Sequence, residues 1–417
     1  MLKEIKKPNR DHARRVMQCL VVAIRPLRVE ELAEVLAVDF DDAEGVPKLK
    51  PNWRWEEQEQ ALLASCSSLI TIIDTGYSRV VQFSHYSVKE YLTSARLATS
   101  SQDVSRYHIA LEPAHTILAQ ACVSVLLQLP DRDEEDIVEN NAPLTTYAAE
   151  YWVRHAQFED VASRIKGMEY LFDSEKPYFA AWLLLHDIDR DFYRPVFHTI
   201  SFNWKSVKRA PLYYAALCGF RNLVEQLIVK YPQQVNTISG LFGTPAVAAL
   251  AGRHFELAEV LHRNGSSVDP LDEDGESPLY CAVYVDNLEM VQVLLDYGVD
   301  ANFRSKHGDT ALAFAAQYGS FNDPRVVRLL LDHGADPNAQ SRRYFRTTPL
   351  HRASRDGNIE IARLLLERGA SLEVQDWTGK TPLDIASEKR LDEMIKLLSV
   401  HRSKSENIVQ CSTDLLS

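Results

Sequence analysis

Residues 348–370 read TPLHRASRDGNIEIARLLLERGA, and this stretch decides the fold of the C-terminal half. Thr348 is a residue type that caps helix N-termini, and Pro349 follows at the first helical position, where a missing backbone N–H costs nothing. An apolar ladder comes later in the stretch, and Gly369 then ends it as glycines at helix C-termini do. The ladder consists of Ile359, Ile361, Leu364 and Leu365. The stretch therefore predicts two short helices, the second of which buries one face.

Six segments of the chain share this pattern, with start-to-start offsets of 34, 33, 33, 38 and 33 residues. They start at Ala210, Thr244, Ser277, Thr310, Thr348 and Thr381. A period near 33 residues with a T-P-L-H-x-A signature resembles the ankyrin repeat. The resemblance implies a solenoid over residues 201–402, in which each unit is stable only against its neighbours. The last unit is more polar, as a cap is, and residues 403–417 are expected to form a disordered tail.

By the same resemblance, ankyrin arrays bind proteins through their finger tips and the exposed positions of their first helices. Carried over to this chain, the resemblance implies a protein partner on the concave and finger surface, although the sequence does not identify that partner. Arginine and aromatic residues in the 38-residue unit match the composition of binding hot spots. The alternative is that this insertion is a tolerated loop and that Trp377 lies flat on its neighbour. The candidate partner-binding residues are Glu273, Asp274, Glu276, Tyr284, Lys306, His307, Gln317, Tyr318, Arg342, Arg343, Tyr344, Phe345, Arg346, Arg355 and Trp377.

Residues 1–100 are expected to form a winged-helix-like α/β domain, because three helical patterns precede two β-rich runs around the turn DTGYS. The second β-rich run leads into the sequence VVQFSHYSVKEYL, residues 80–92, which is rich in chemically reactive side chains. Ser87 and Glu90 predict a capping box there, and Tyr86 and Tyr91 predict a hydrophobic staple. This interpretation favours a strand that passes into a helix over an active site.

Three motifs, RPLRVEELAEVLAVD, CSSLITII and FSHYSVKEYL, resemble the winged-helix segment that follows the NACHT nucleotide-binding module of fungal NOD-like (STAND) proteins, which usually carry ankyrin repeats as well. The resemblance implies that His85 contacts the diphosphate of ADP, but only if a nucleotide-binding domain is supplied. This chain contains no Walker A or Walker B motif and no room for that module. The alternative is that His85 is a structural histidine.

Composition limits the remaining classes of function. A net charge of −12 argues against broad nucleic-acid binding, and acidic residues at the start of the third helix, Glu56, Glu57 and Glu59, would repel DNA phosphates. The six cysteines show no metal-binding spacing and are expected to be reduced, mostly buried thiols. The charged N-terminus and the lack of a long apolar stretch predict a cytoplasmic or nuclear protein without a membrane partner. No cofactor and no catalytic site are predicted.

Residues 101–200 are expected to form a helical connector, in which Tyr147, Tyr151 and Trp152 pack rather than bind a cofactor. His155 stands beside Arg154, but the sequence shows no third member of a site. The whole chain is thus predicted to be mainly α: a winged-helix-like domain, a connector and six ankyrin repeats. It is expected to be a non-enzymatic protein-interaction module of a NOD-like receptor-type signalling protein. The alternative is the regulatory fragment of a nucleotide switch.

Overall fold

The structure is a computed structural model that describes residues 2, 5–41, 45–54, 56–129, 142–189, 209–271, 277–305, 308–317, 324–341 and 345–414. The chain divides into two compact units. One contains residues 1–188 with 218–230, and the other contains residues 189–217 with 231–417, each as far as it is described. The two units are described separately below.

The N-terminal part of the first unit has the predicted winged-helix order. Its helices are α1 (Arg10–Val22), α2 (Val29–Leu36) and α3 (Gln58–Cys66), and its strands are β1 (Leu27–Arg28), β2 (Val38–Asp39), β3 (Lys48–Leu49), β4 (Ile70–Asp74) and β5 (Arg79–Phe83). The sheet order is β1-β5-β4, and both pairs are antiparallel, with Leu27 opposite Val81 and Ile70 opposite Phe83. A separate two-stranded sheet joins β2 to β3. The three helices and the β4–β5 hairpin confirm the predicted fold class.

Two buried glutamates hold helix α2 in place. Glu31 is fully buried and binds both Arg25, at 2.7 Å, and Arg28, at 3.0 Å. Glu34 is also buried; it pairs with Arg54 and accepts a hydrogen bond from the backbone N–H of Leu144 at 2.7 Å. A buried carboxylate is stable only when it is paired in this way, so these bonds fix where α2 lies.

The capping box predicted at Ser87 and Glu90 is wrong. Helix α4 (Tyr86–Leu92) begins earlier, and its N-cap is His85, whose side chain accepts the backbone N–H of Ser87. An imidazole nitrogen can accept this bond just as a serine oxygen does, so His85, whose backbone is extended, caps the helix two residues after β5 ends. The staple is also wrong, because Tyr86 is 73% exposed and Tyr91 is exposed as well.

A short helix, α5 (Ala95–Ala98), follows α4 at the end of the winged-helix domain. The helical connector contains α6 (Gln102–Ser105), α7 (Leu111–Leu126), α8 (Thr145–Ala156), α9 (Met168–Leu171) and α10 (Pro177–Leu185). Its core is an aromatic cluster in which Trp152, Phe172 and Trp182 meet edge to face. The indole of Trp182 also donates to the carbonyl of Ala149 at 3.0 Å. Tyr147 and Trp152 are fully buried, in agreement with their predicted packing role.

The helix predicted to complete the first repeat packs on this connector. Helix α12 (Arg221–Lys230) follows Phe220, whose ring contacts both Trp152 and Phe172. At its other end, Lys230 pairs with Asp173 at 3.0 Å. Helix α12 is therefore part of the first unit.

The second unit consists of short helices that follow the predicted repeat. The first helices of the repeats are α11 (Pro211–Cys218), α13 (Pro245–Ala251), α15 (Pro278–Tyr284), α17 (Ala311–Gln317), α19 (Pro349–Asp356) and α21 (Pro382–Glu388). The second helices are α14 (Phe255–Arg263), α16 (Leu288–Asp296), α18 (Pro324–Asp332), α20 (Ile359–Glu367) and α22 (Asp392–Asp414). Thr348 and Thr381 cap their helices through their hydroxyls, as predicted, and Gly369 has a φ of 85°, which suits a left-handed C-terminal residue.

Asparagine side chains join successive repeats at their loops. The amide of Asn302 donates to the carbonyl of Gly334 at 2.9 Å and accepts from the N–H of Asp336 at 2.7 Å. Asn338 makes the same pair of bonds one repeat later. Each asparagine therefore satisfies two backbone groups of the next repeat, which adds directional contacts to the apolar stacking.

Three whole-chain predictions can be compared with the structure. Helix α22 continues to Asp414, so residues 403–414 are helical rather than a disordered tail, and the sequence explains this because it has no glycine or proline between 392 and 414. The cysteines with described side chains are free and buried, as predicted: Cys19, Cys66, Cys122, Cys218 and Cys281. Within the described ranges, every helix is too short or too polar to cross a membrane.

Candidate functional site: the finger and helix-end surface of the repeats

The fingers that precede the first helices are closed by backbone hydrogen bonds. In three of them the bond joins positions four apart: from Ser239 to Gly243, from Ser305 to Asp309 and from Asp376 to Lys380. In the 38-residue unit the bond from Ser341 reaches Thr347, six positions away. This finger is therefore two residues longer than the other three, and Phe345 lies inside it.

The enlarged finger presents an aromatic side chain beside that of the next finger. Phe345 is 51% exposed and Trp377 is 67% exposed, and their rings meet edge to face with centroids 4.9 Å apart. The backbone N–H of Trp377 donates to the carbonyl of Phe345 at 2.9 Å, so the two fingers are joined at this point. Trp377 therefore stands against its neighbour by an edge and does not lie flat on it. We call Phe345 and Trp377 the aromatic pair.

The backbone of this finger is strained. Phe345 has a φ of 58° and Arg346 a φ of 56°, in the left-handed region that side-chain-bearing residues rarely adopt. Such strain costs of order 1–3 kcal/mol for each residue and persists where the surrounding structure enforces it. The guanidinium of Arg346 also donates to Gln340 at 3.4 Å.

Three other predicted residues occupy one repeat position. Tyr284, Gln317 and Arg355 each lie six residues after the first residue of helices α15, α17 and α19. All three are partly exposed. Because these helices are consecutive first helices, the three side chains form a row across the array, which we call the helix-end row.

A buried ion pair supports the middle of this row. Arg352 donates to Asp309 at 2.6 Å and to the side-chain oxygen of Gln317 at 2.8 Å. The side chains of Arg352 and Asp309 are only 1% and 3% exposed. Gln317 is thus held from beneath by its own protein, a role that the sequence did not indicate.

The other predicted partner-binding residues lie outside the described part of the chain. They are Glu273, Asp274, Glu276, Lys306, His307, Tyr318, Arg342, Arg343 and Tyr344. The structure thus places two groups of predicted residues, the aromatic pair with Arg346 and the helix-end row.

His85 is the predicted nucleotide-contacting residue of the first unit. It is exposed, its Nδ1 lies 2.7 Å from the Ser87 hydroxyl, and its ring is 4.4 Å from that of Tyr86. The described structure therefore gives His85 a structural role as a helix cap and leaves the imidazole at the surface.

The triplet Gly379-Lys380-Thr381, which ends like a phosphate-binding loop, forms an ordinary finger turn. One oxygen of Asp376 accepts from the N–H groups of Thr378 and Lys380, at 2.8 and 3.0 Å. The ammonium of Lys380 pairs with Glu388 at 2.7 Å. Among the described residues, no group of three or more histidine, cysteine, aspartate or glutamate side chains is placed to hold a metal ion.

Comparison with known proteins agrees with both architectures. Residues 2–102 match the family described as the GPI inositol-deacylase winged-helix domain, a type associated with NACHT modules in fungal proteins. Residues 246–341 and 320–409 match the family described as ankyrin repeats. The chain carries a winged-helix domain followed by ankyrin repeats. The resemblances that its motifs suggested are therefore confirmed.

Individual relatives share part of this chain. The azaphilone pigments biosynthesis cluster protein L of Monascus ruber is 30% identical over 281 residues, which cover 62% of this chain and 56% of that protein. The ankyrin repeat protein nuc-2 of Neurospora crassa is 27% identical over 203 residues, 46% of this chain and 18% of that protein. The ankyrin repeat and SAM domain-containing protein 6 of Mus musculus is 36% identical over 105 residues, 25% of this chain and 12% of that protein. The chain thus spans about half or less of the length of these relatives.

The structure also supplies partners that the sequence did not reveal. His155, which had no third member in the sequence, lies 2.8 Å from His115 and 2.8 Å from the hydroxyl of Tyr147. His115 is forty positions away, on another helix, so no local motif could have indicated this cluster.

Proposed function

We propose that this chain is a non-enzymatic protein-binding scaffold that acts as the sensing arm of a NOD-like receptor-type signalling protein in the cytoplasm. The observation that carries the proposal is the aromatic pair, because two large apolar rings that are half or more exposed are held rigidly at the tips of adjacent fingers. The ankyrin family binds proteins through extended surfaces of this kind. The two matched family models describe ankyrin repeats and a winged-helix domain, neither of which is a catalytic domain, and this supports a role without chemistry.

The expected energetics follow from hot-spot behaviour. A tryptophan at the centre of an interface typically loses at least about 2 kcal/mol of binding when it is cut to alanine. The backbone bond between Phe345 and Trp377 fixes both rings before binding, which lowers the ordering cost that a partner would otherwise have to offset. The helix-end row would supply the polar contacts of the same surface.

Photo-cross-linking in the cells that express the protein tests this proposal. Benzoylphenylalanine replaces Trp377 in one variant and Val229, an 83% exposed residue of α12, in a control variant. We expect a cross-linked protein species at position 377 that is absent at position 229. Identical products at the two positions, or none at position 377, would contradict the aromatic pair as the binding surface.

Affinity measurements on the captured partner then test the magnitude. Trp377→Ala should weaken binding at least about thirtyfold, which corresponds to the 2 kcal/mol of a hot spot. Trp53→Ala is the matched control, because Trp53 is 53% exposed but belongs to the winged-helix domain. An equal loss in the two variants would remove the aromatic pair from the proposal.

The second candidate is a switch role for the winged-helix domain, favoured by the surface position of His85. An exposed imidazole can contact a diphosphate when a nucleotide-binding domain is supplied. We expect His85→Ala to speed ADP release from a protein in which that domain and this chain are present together. Because His85 also caps α4, His85→Asn, which retains a capping acceptor, is the informative variant. Equal ADP retention in the wild-type and His85→Asn proteins would refute the sensor role.

A further inference from the structure

Three buried or half-buried side chains link the winged-helix domain to the connector in one chain of hydrogen bonds. The backbone N–H of Ile24 donates to the hydroxyl of Tyr147 at 3.2 Å. That hydroxyl lies 2.8 Å from Nε2 of His155, and Nδ1 of His155 lies 2.8 Å from Nδ1 of His115. Ile24 belongs to the turn between α1 and β1, residues 23–26, whereas the other three residues lie on α7 and α8.

The donor and acceptor roles in this series of hydrogen bonds follow from the backbone N–H of Ile24 at one end. A backbone N–H can only donate, so the Tyr147 oxygen accepts from Ile24, and its own proton is best used by donating to Nε2 of His155. His155 then carries its proton on Nδ1 and donates it to His115. The reverse wiring would leave the buried Tyr147 hydroxyl proton without an acceptor among the described residues, at the cost of an unmade hydrogen bond.

With the protons placed in this way, the two nitrogens of the histidine pair that could take up a proton already accept hydrogen bonds. A proton added to Nδ1 of His115 would face the N–H of His155 across 2.8 Å, so both bonds would have to reverse or break. His155 is fully buried, and burial lowers its pKa to about 3, while burial first and Lys89 second lower the pKa of His115. His115 is only half-buried, with its ring stacked on that of Phe158, so solvent protons can reach the pair from this end.

The charged and titratable groups around the chain do not offset an added positive charge. Arg25 lies over the ring of Tyr147 at 4.9 Å and is itself paired with Glu31. The nearby thiols of Cys19 and Cys122 are buried, and burial raises the pKa of each. The neighbours of the cluster are therefore cationic, already paired or neutral.

We propose that the Ile24–Tyr147–His155–His115 chain is an acid-sensitive latch that holds the turn at residues 23–26 on helix α8 and releases it when the histidine pair takes up protons. The released turn frees the entry to β1, which is an edge strand of the winged-helix sheet.

The pH dependence has a definite sign. Histidines in the released state have their ordinary pKa near 6.5, whereas the closed state binds protons only at lower pH. The latch is therefore fully closed above about pH 6.5, and its opening constant rises as pH falls. The rise is up to about tenfold per pH unit for each histidine, or about a hundredfold when both take up protons.

Hydrogen–deuterium exchange on the whole chain tests the latch. Peptides from the turn and from α8 are followed between pH 7.5 and 5.0, after correction for the intrinsic pH dependence of amide exchange. The logarithm of the opening constant should rise as pH falls, and its slope should be steeper in the wild type than in a variant that keeps only one of the two histidines. His115→Asn keeps a side-chain oxygen that can accept from His155 but cannot take up a proton, so its slope should approach one.

The control is His108→Asn, which removes a histidine of the same unit outside the chain and should keep the wild-type slope. Three results would overturn the latch. One is exchange of the turn peptide in the wild type that does not change with pH, a result that does not depend on whether any variant folds. Another is an unchanged slope in His115→Asn. The last is equal acceleration in a peptide of the same unit outside the latch, such as that of α3, which would indicate unfolding of the whole unit instead of local release.

Discussion

The buried pair of Arg352 and Asp309 makes the sharpest stability prediction. In the other repeats the position of Arg352 holds apolar or aromatic residues, and all of them are buried: Tyr214, Ala248, Cys281, Phe314 and Ile385. Arg352 instead donates to Asp309, to Gln317 and to the carbonyl of Ala313 at 3.3 Å. Asp309→Ala therefore leaves a guanidinium buried without its counter-charge.

The magnitude follows from the burial of both partners. Removal of one member of a buried ion pair costs about 3–5 kcal/mol, because the remaining charge stays out of water. Replacing both members by apolar groups is about neutral or stabilising. We therefore expect Asp309→Ala to lose about 3–5 kcal/mol, and the double variant Arg352→Met/Asp309→Ala to recover most of that loss.

Native-state hydrogen exchange of α17 and α19 is the suitable assay, because a repeat array need not unfold in one step. The control is Glu289→Ala, which breaks the pair of Glu289 with Arg253; both side chains are more than half exposed, so the cost should stay below about 1 kcal/mol. Equal costs for Asp309→Ala and Glu289→Ala, or a double variant as unstable as Asp309→Ala, would refute the reasoning.

The remaining contacts make four further predictions. Asn338→Ala removes two hydrogen bonds to the next repeat and should lower the unfolding free energy of the array by about 1–3 kcal/mol in urea; a loss below the error of the fit would contradict it. Glu31→Gln should cost about 2 kcal/mol in thermal unfolding of the first unit, because two partly exposed arginines lose a buried counter-charge; an unchanged Tm would contradict it. Burial lowers the pKa of His351 below its ordinary 6.5, so the neutral side chain contributes its full stabilisation above that pH and the contribution is lost as pH falls. In urea titrations the folding equilibrium constant of the array should fall by up to about tenfold per pH unit below 6.5; an unfolding free energy that does not change with pH would contradict this. Burial raises the pKa values of Cys19 and Cys66 to about 12, so iodoacetamide at pH 8 should modify them only after unfolding, as mass spectrometry would show.

The sequence predicts the repeats well because their signal is periodic and local. Thr348, Pro349 and Gly369 each specify a backbone conformation at a fixed place in the unit, so the helix bounds could be predicted from residue types alone. The winged-helix order could be predicted for the same reason. The start of α4 could not, because a histidine is an unusual N-cap and Ser87 offered a more ordinary one nearby.

The repeat period predicts where the described candidate residues lie in each unit, but it does not predict their contacts. That these residues bind a partner stays a prediction. The period placed Tyr284, Gln317 and Arg355 on equivalent helix ends, and composition singled out Phe345 and Trp377. The orientation of Trp377 and the support of Gln317 from beneath depend on contacts across repeats, which the sequence does not encode locally. The packing of α12 on the connector is a similar case, because an amphipathic helix does not specify which apolar surface it will cover.

The buried polar contacts lie where elements distant in sequence meet. Arg352 spans two repeats, Glu34 joins α2 to the residue before α8, and His155 joins α8 to α7. Apolar packing is non-directional and tolerates sliding of one helix along another, whereas a buried ion pair is satisfied in one arrangement only. We infer that these contacts set the relative positions of elements more than they add stability.

For the array this inference has a functional consequence. Gln317 belongs to the helix-end row and is held there by Arg352, so Arg352 should affect partner binding although it is too deeply buried to touch a partner. The double variant Arg352→Met/Asp309→Ala should be about as stable as the wild type. It therefore distinguishes an effect on the position of Gln317 from an effect on the stability of the array. We expect it to bind the captured partner several-fold more weakly because Gln317 loses the hydrogen bond from Arg352. Wild-type affinity in a stable double variant would show that apolar packing alone positions the row.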